Sequence, residues 1–341
     1  MSIPSYDINS QGIHPPATVL VTGGSGFVGA YVTRDLVSAG YRVKALRRKR
    51  VVPFYIHPDV LKEVEWIDCD ILDTFALWEA MRNTDAVIHT AAKVSFHAKD
   101  RHELFSTNVE GTANVVNAAL ENNVRRFIHV SSVASLGKRT NGTVVNEDSK
   151  WQENKLNTNY AVSKYYGEME VWRGIAEGLN AVIVNPSTIL GYGDWNSSSN
   201  ALFKNAYNGF PWYTNGVNGF VDIEDVSKAI VKLLATNIRS ERFILNGDNW
   251  SYRKLLDTIA DSFGKRRPYR NATPLLSSVA WRLEKFKSFF TGKKVLLTRE
   301  AAKVAQSNTN FDNNKILNAL PGFSFTNLEQ TIKKACVQYS K

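Results

Sequence analysis

Tyr160 and Lys164 are the residues of this sequence whose types and spacing most directly predict chemistry. They lie four positions apart, so a helix would place both side chains on one face. A phenol with a pKa near ~10 is a poor base at neutral pH, but a neighbouring ammonium group lowers that pKa. We therefore predict that Tyr160 exchanges a proton with a substrate oxygen and that Lys164 assists. The spacing alone is also typical of a solvated helix face.

A hydroxyl group is predicted beside this pair. Ser132 follows the strand-like run Arg126–Val130, and sheets of parallel strands bind their ligands at the carboxyl ends of the strands. Ser132 would orient the substrate oxygen, and Lys164 would also donate a hydrogen bond to the ribose of a nicotinamide cofactor. Together with Tyr160 they predict a site for hydride transfer to or from that cofactor.

A glycine-rich turn lies upstream, between a predicted strand over 17–21 and a predicted helix over Phe27–Ser38. The first glycine allows the tight turn, the middle one lets a pyrophosphate approach the backbone, and the last lets the helix pack close to the strand. A plain turn would explain the glycines alone, but the strand and helix around them predict a dinucleotide site. The residues predicted to line it are Gly23, Gly26, Phe27, Val28 and Gly29.

The end of the second predicted strand bears on which dinucleotide binds. A site for NAD normally carries Asp or Glu there to hold the ribose hydroxyls, whereas this chain carries Arg47 and Arg48. Arginine pairs well with a 2′-phosphate and offers no acceptor to a ribose hydroxyl. We therefore predict NADP as the cofactor, with NAD as the alternative. An exposed basic loop would also explain the two arginines.

Further cofactor contacts are predicted where three other strands end. Asp70 is spaced to reach the adenine amino group, or else to cap the short helix that follows Asp73. The small residues after His89 would let the backbone line the cofactor's ribose, and His89 itself is predicted to be a packed strand residue. The predicted contacts in these segments are Asp70, Ile71, Thr90, Ala91, Ala92, Lys93 and Pro186.

The elements that must position these residues follow from an alternation of apolar runs and amphipathic stretches. It predicts an α/β fold, a Rossmann-type doubly wound parallel sheet with helices on both faces. We expect a flexible tail over 1–16, a cofactor-binding domain over 17–190 and a smaller, mostly helical substrate-binding subdomain over 191–341. A strand over 242–245 is predicted to return to the main sheet. The other predicted strands are 18–21, 42–46, 64–68, 86–89, 126–130 and 181–184, and the predicted helices are 27–38, 75–81, 103–121 and 159–176.

The composition is that of an ordinary globular protein, with 43% hydrophobic and 22% charged residues among 341. The two cysteines are far apart and no signal-peptide pattern is seen, so we expect a cytoplasmic protein without disulfides or a metal site. The net charge is +10, and residues 264–315 hold 12 Lys and Arg against 3 Asp and Glu. Because no nucleic-acid motif accompanies this charge, we expect a solvated basic face, with attraction to an anionic substrate or a membrane surface as alternatives.

These motifs, taken together, resemble the extended short-chain dehydrogenase/reductase superfamily, also described as NAD-dependent epimerase/dehydratase proteins. The run 160–168, the pair Asn185-Pro186 and the basic strand end are most similar to dihydroflavonol reductases, cinnamoyl-CoA reductases and 3β-hydroxysteroid dehydrogenases. The resemblance implies a catalytic triad of Ser132, Tyr160 and Lys164 that Asn108 supports. The segments that carry it are 22–29, 70–73, 89–92, 108–112, 131–132, 160–164, 185–188 and 219–226.

The superfamily leaves two kinds of enzyme open. Sugar-nucleotide epimerases and dehydratases hold NAD tightly and tend to carry Arg where this chain has Asn185, and an acidic residue where it has Arg47. We therefore expect an NADPH-dependent reductase of a ketone or aldehyde, or the reverse oxidation of a secondary alcohol, with the epimerase or dehydratase as the alternative. We expect a small-molecule substrate and no nucleic-acid partner, and a homodimer is compatible with the sequence.

The resemblance implies that loops rich in aromatic residues ring the substrate pocket. They are 93–99, 133–135, 190–199 and 213–220. Such a mouth suits a flat or hydrophobic substrate, although core packing explains any single aromatic residue. The basic amphipathic pattern over 274–290 predicts a helix that caps the cleft, with a position on a membrane surface as the less typical alternative. The residues predicted to contact substrate are His97, Val133, Trp195 and Tyr213.

Overall fold

The computed structural model describes residues 12–137, 144–153, 157–273 and 299–341. The strands in this part of the chain are β1 (Thr18–Thr22), β2 (Arg42–Arg47), β3 (Val64–Asp68), β4 (Ala86–His89), β5 (Arg126–Val130), β6 (Val144–Val145), β7 (Ala181–Pro186), β8 (Thr188–Leu190), β9 (Trp212–Tyr213), β10 (Val217–Asp222), β11 (Glu241–Leu245), β12 (Asp248–Ser251), β13 (Arg270–Asn271) and β14 (Asn310–Phe311).

Helices connect most of the longer strands. They are α1 (Phe27–Ser38), α2 (Pro58–Lys62), α3 (Thr74–Met81), α4 (Arg101–Phe105), α5 (Gly111–Glu121), α6 (Asn159–Ala176), α7 (Ala201–Tyr207), α8 (Ile223–Leu234), α9 (Tyr252–Ser262), α10 (Arg299–Ala305), α11 (Asn314–Ala319) and α12 (Leu328–Tyr339). Short 3₁₀ turns lie at Ala98–Asp100, Val133–Leu136 and Ser198–Asn200.

Seven strands form one parallel sheet in the order β11-β7-β5-β4-β1-β2-β3. The chain moves outward from β1 to β3 on one side and then returns to β4 on the other. Open α/β sheets bind ligands beyond the carboxyl ends of their strands at such a reversal. The order confirms the predicted Rossmann-type parallel sheet, and the strand predicted over 242–245 lies at its edge as β11.

Two layers of helices cover the sheet because its strands are apolar on both faces. α1 and α8 pack on one face through residues such as Leu36 and Ile230. α3, α5 and α6 pack on the other through Leu77, Val115 and Val171. With both faces buried, the carboxyl edge of the sheet is the part that can meet a ligand.

The chain beyond β7 builds a second, smaller layer. Strands β12, β10 and β8 form a sheet on which α7, α9 and α12 pack through Phe203, Leu255 and Ile332. β8 follows β7 after one residue, so this layer adjoins the carboxyl edge of the main sheet. In the described part of the chain, no helix is both long and apolar enough to cross a membrane.

Three sequence predictions differ from the structure or fall outside it. The tail predicted over 1–16 is packed at its end, because Ile13 is 1% exposed, its N–H donates to Leu234 O at 2.9 Å and its carbonyl accepts from Tyr41 Oη at 2.8 Å. The helix predicted over 103–121 is interrupted by a π-helical turn, Ser106–Glu110, between α4 and α5. The helix predicted over 274–290 lies outside the described residues.

Candidate active site

The glycine turn between β1 and α1 is built on close backbone contacts. Gly23 has φ +67°, and a Cβ there would lie 2.8 Å from the Cα of Ala91 at the end of β4. A Cβ on Gly29 would lie 2.2 Å from the carbonyl oxygen of Gly23. Both positions therefore require glycine for the turn itself, since other residues would push the helix away from the strand.

Gly26, the middle glycine of the predicted pattern, has a different environment. It is the exposed N-cap of α1, and a Cβ there would meet only the Gly23 carbonyl oxygen, at 3.1 Å, among the described atoms. No side chain caps the helix start, where the first backbone N–H groups have no partner within the helix. A phosphate group fits this open space in front of free N–H donors, and Phe27 and Val28 lie directly behind it.

The ends of β1 and β4 are joined by a buried hydrogen-bond network around His89. Its Nδ1 lies 2.7 Å from Thr22 Oγ1 and its Nε2 lies 3.0 Å from Thr112 Oγ1. Burial lowers the pKa of His89 to about 3, with a smaller contribution from the Lys164 charge. The ring is therefore neutral and packed in the strand, and Thr90 and Ala91, which follow it, are tied to Thr22 by further hydrogen bonds.

The two arginines predicted to read the 2′-phosphate lie in unlike surroundings. Arg47 is held by Asp68, with Nε 2.7 Å from Oδ1, and its guanidinium lies 5.3 Å from the ring centre of Trp66. Arg48 is 54% exposed and lies 3.8 Å from the Glu103 carboxylate. Asp68 was missed from the sequence, although parallel pairing puts the last residues of β2 and β3 side by side.

Asp70 and Asp73 follow β3, and each accepts a different hydrogen bond from the backbone. Asp73, not Asp70, caps α3 by accepting from Ala76 N at 3.0 Å. Asp70 uses Oδ1 to accept from Leu72 N at 3.0 Å in a local turn. Asp70 therefore stands beside the end of β3 without a capping role, and the buried Ile71 packs against the start of α5 at Gly111.

Asn108 lies in the π-helical turn and connects the loop after β4 to α6. Its Oδ1 accepts from Lys93 N at 2.7 Å, and its Nδ2 donates to Lys93 O and to Ser163 Oγ, each at 2.9 Å. The Lys93 ammonium group pairs with Glu103 at 2.9 Å. Asn108 is 2% exposed, so these bonds fix the loop 90–93 against the helix that carries Tyr160.

Ser132, Tyr160 and Lys164 converge at the carboxyl end of β5. Burial raises the pKa of Tyr160, and a hydrogen bond with the Ser132 side chain acts in the opposite direction. Lys164 is 4% exposed and donates from Nζ to Val130 O at 3.0 Å. Burial lowers the pKa of Lys164 to about 8. The phenol thus stays protonated at neutral pH, which differs from the expected lowering of its pKa by the ammonium group.

The residues predicted on the substrate side have different neighbours in the structure. Trp195 stacks on Tyr339 of α12 at 5.3 Å, and Tyr213 lies under the Arg253 guanidinium at 4.6 Å. His97 precedes the 3₁₀ turn Ala98–Asp100. Val133 is next to Ser132 and packs beside Leu136, Val145, Ile244 and Phe311. The aromatic ring placed against Tyr160 is that of Phe96, at 5.9 Å between ring centres.

A buried carboxylate near the triad, Glu168, also escaped the sequence reasoning as a site residue. It lies one helical turn after Lys164 and accepts hydrogen bonds from the strand ends around Ser132. Its spacing from Lys164 was the available signal, because positions four apart share one helix face. Among the described residues, no cluster of three or more His, Cys, Asp or Glu could hold a metal ion.

Comparisons with known proteins point to one family. The model of the NAD dependent epimerase/dehydratase family matches residues 19–245. The protein named "Putative dihydroflavonol 4-reductase" of Synechocystis sp. is 30% identical over 92% of each chain. Cinnamoyl-CoA reductase 1 of Petunia hybrida is 32% identical over 66% of this chain and 71% of its own. The crystal structure of gox2253 has a TM-score of 0.78 at 28% identity, covering 95% of this chain and 98% of that one.

Proposed function

The chain belongs to the NAD-dependent epimerase/dehydratase family of enzymes, and we propose that it is an NADPH-dependent reductase of a ketone or aldehyde. The observation that carries the proposal is the convergence of Ser132, Tyr160 and Lys164 beyond the carboxyl end of β5. Parallel sheets bind ligands at that edge. We propose residues 17–190 as the cofactor-binding part and the smaller layer after them as the substrate side.

The three residues divide the work in the proposed reaction. NADPH, when bound, supplies the hydride for the carbonyl carbon. Tyr160 is protonated at neutral pH because burial raises its pKa, so it donates its proton to the carbonyl oxygen as the alcohol forms. Ser132 donates a hydrogen bond that orients that oxygen. Lys164 donates to the nicotinamide ribose, and its positive charge favours the phenolate that the proton transfer leaves behind.

The cofactor assignment rests on the open helix start at Gly26 and on the basic end of β2. In our proposal, the pyrophosphate takes the free N–H groups of α1. Arg47 and Arg48 hold the 2′-phosphate, which suits their charge and planar donors. Asp68 keeps Arg47 in place across the strand pair. The same carboxylate is the observation that favours NAD instead, since it could accept from ribose hydroxyls.

The reductase is preferred over an epimerase or dehydratase for three reasons. The Synechocystis and Petunia relatives are named as reductases at 30% and 32% identity. Asn185 is fully buried and bonded to Glu168 and Ser132 O. Sugar-nucleotide epimerases tend to carry Arg at this position. Phe96 against Tyr160 also gives the reacting oxygen an aromatic neighbour, which suits a flat substrate.

A substrate panel tests the proposal. Purified protein and NADPH are mixed with one test compound at a time, and the absorbance of the reduced nicotinamide is followed. The test compounds are a dihydroflavonol, cinnamoyl-CoA, an aromatic aldehyde and UDP-glucose. We expect NADPH to be consumed in equal amount to a carbonyl compound. Conversion of UDP-glucose with retained NAD and no net consumption of cofactor would overturn the proposal in favour of the epimerase.

A further inference from the structure

Glu168 is a fully buried carboxylate that the proposed reaction does not use. Its side chain is 1% exposed, and it lies four residues after Lys164 and eight after Tyr160 on α6. That spacing puts all three side chains along one face of the helix, toward the end of β5. A buried charge is costly unless it is paired and fully hydrogen-bonded, so its partners indicate what it stabilises.

One oxygen of Glu168 binds the turn that carries Ser132. Oε2 accepts from Ser131 Oγ at 2.7 Å and from Asn185 Nδ2 at 2.8 Å, and it lies 2.7 Å from Ser135 Oγ. Asn185 Nδ2 and Ser135 Oγ also reach the carbonyl oxygen of Ser132, at 3.1 and 2.8 Å. The residues on both sides of Ser132 and its own backbone are therefore fixed through this carboxylate.

The other oxygen of Glu168 binds a cation from the edge of the sheet. Oε1 accepts from Arg242 Nη1 of β11 at 3.2 Å and from Trp172 Nε1 at 3.4 Å. Arg242 donates further to the carbonyl oxygens of Glu147 and Ser149, at 2.8 and 3.1 Å. Each nitrogen bonded to Glu168 is a donor, as a carboxylate requires.

We propose that Glu168 is a positioning residue for the reaction, which holds the Ser132 turn opposite Tyr160 and places a negative charge beside Lys164. This inference rests on the proposed roles of Ser132 and Lys164. Removing the carboxylate would loosen the hydroxyl that orients the substrate oxygen. It would also leave the ammonium group without its charged neighbour on α6.

The negative charge that Glu168 places beside Lys164 can be measured through the pKa of Lys164, given the other groups around that lysine. His89 of β4 and His129 of β5 also interact with it, and burial keeps both rings neutral by lowering their pKa. Arg242 is held on the far oxygen of Glu168, and Tyr160 stays protonated. Burial lowers the pKa of Lys164 to about 8 and Glu168 acts against that lowering, so loss of the carboxylate moves this pKa to lower pH.

The test compares Glu168→Gln with Glu170→Gln, a matched control on the same helix whose carboxylate pairs with Arg173 at 2.8 Å. With the carbonyl substrate found in the panel, we expect Glu168→Gln to lower kcat by about tenfold or more and to leave the KM for NADPH within about twofold. The alkaline fall of kcat should begin at lower pH, because Lys164 loses its proton earlier. Glu170→Gln should keep the wild-type kcat and pH profile.

A readout without turnover separates this inference from the proposed function. An unfolded lysine titrates near pH ~10.4, so between about 8 and that value the unfolded chain keeps the Lys164 proton that the folded chain has lost, and the contribution of Lys164 to the free energy of unfolding rises with pH. In Glu168→Gln, relative to Glu170→Gln, that rise should begin at lower pH. This result would support the charge effect even if the panel finds no reductase activity.

Glu168→Asp is the second variant to measure, and it tests the proposal if Glu168→Gln does not fold. It keeps the charge but shortens the reach to Ser131 and Asn185, so kcat should fall while the alkaline limb stays at the wild-type pH. A Glu168→Gln variant with wild-type kcat and pH profile would overturn the proposal. So would variants that lose only thermal stability, with kcat per folded molecule and both pH profiles unchanged.

Discussion

The cofactor side and the substrate side of the candidate site are held together by different kinds of contact. On the cofactor side, Gly23 and Gly29 meet backbone atoms at distances that admit no side chain. On the proposed substrate side, Trp195 stacks on Tyr339 and Tyr213 lies against the Arg253 guanidinium. One side is fixed by the path of the backbone, and the other by contacts between side chains.

This difference explains why the cofactor side can be recognised from the amino-acid sequence and the substrate side cannot. A backbone turn that excludes a Cβ leaves a glycine pattern at fixed positions, and any sequence with the same turn must repeat it. An aromatic residue in a loop fills whatever space its neighbours leave. Substrate choice therefore belongs to the part of the molecule that the fold constrains least.

The largest effect is expected where the two sides meet, at Tyr160. Tyr160→Phe removes the proton donor and leaves the aromatic ring that contacts Phe96, so kcat should fall by about 100- to 10,000-fold. The dissociation constant for NADPH, measured by fluorescence titration, should change by less than about twofold. Tyr166→Phe, on the same helix but 42% exposed, is the control. A Tyr160→Phe variant within a few-fold of wild type would refute the proton-transfer role.

The glycine turn gives a sharper contrast within the cofactor side. Gly26→Ala places a Cβ 3.1 Å from the Gly23 carbonyl oxygen, a milder clash than at Gly29, so we expect a smaller fall in melting temperature than for Gly29→Ala while NADPH binding weakens by about tenfold or more. Gly29→Ala places a Cβ 2.2 Å from a carbonyl oxygen and should cost about 1–3 kcal/mol of stability as well. Equal loss of stability in both variants would show that the space at Gly26 serves the turn and not a phosphate.

Substitutions at the end of β2 test whether the protein binds NADPH in preference to NADH. Arg48→Ala removes an exposed cation that is held weakly, so NADPH binding should weaken by about tenfold while NADH binding stays unchanged. Arg50→Ala serves as the control. Arg50 is 84% exposed and pairs with Asp68, as Arg47 does, but it is not among the residues proposed to hold the 2′-phosphate. If Arg47→Asp and Arg48→Ala leave the ratio of NADPH to NADH affinity where it is, the 2′-phosphate assignment is wrong.

The smallest effect on activity is expected on the substrate side, at Trp195. Trp195→Ala removes the stack on Tyr339 and should lower thermal stability, as expected when a large aromatic contact is lost, by about 3 kcal/mol or less. Because the ring is stacked on Tyr339 of α12, kcat/KM should change by less than about tenfold. A loss as large as that of Tyr160→Phe would place Trp195 in the substrate pocket, as its sequence position predicted.

The same contrast explains which parts of the fold were predictable. α1 and α6 have the predicted bounds, 27–38 and 159–176, because local sequence determines them. The glycine turn precedes α1, and the Thr158 side chain caps α6 by accepting from Ala161 N at 3.0 Å. The packed end of the tail at Ile13 was not predictable, since it depends on a pocket formed by residues far along the chain. The Glu168–Arg242 pair spans 74 positions, and only the three-dimensional arrangement of α6 and β11 brings its two members together.

Transfer of deuterium tests the central claim most directly. The protein is given NADPH labelled with deuterium at C4 of the nicotinamide, on each face in turn, together with the carbonyl compound found in the panel. We predict an alcohol that carries one deuterium, formed in equal amount to NADP from one of the two labelled cofactors, and formed at least about 100-fold more slowly with Tyr160→Phe. Product formed without label from either cofactor, or a converted nucleotide sugar with the cofactor unconsumed, would contradict the assignment.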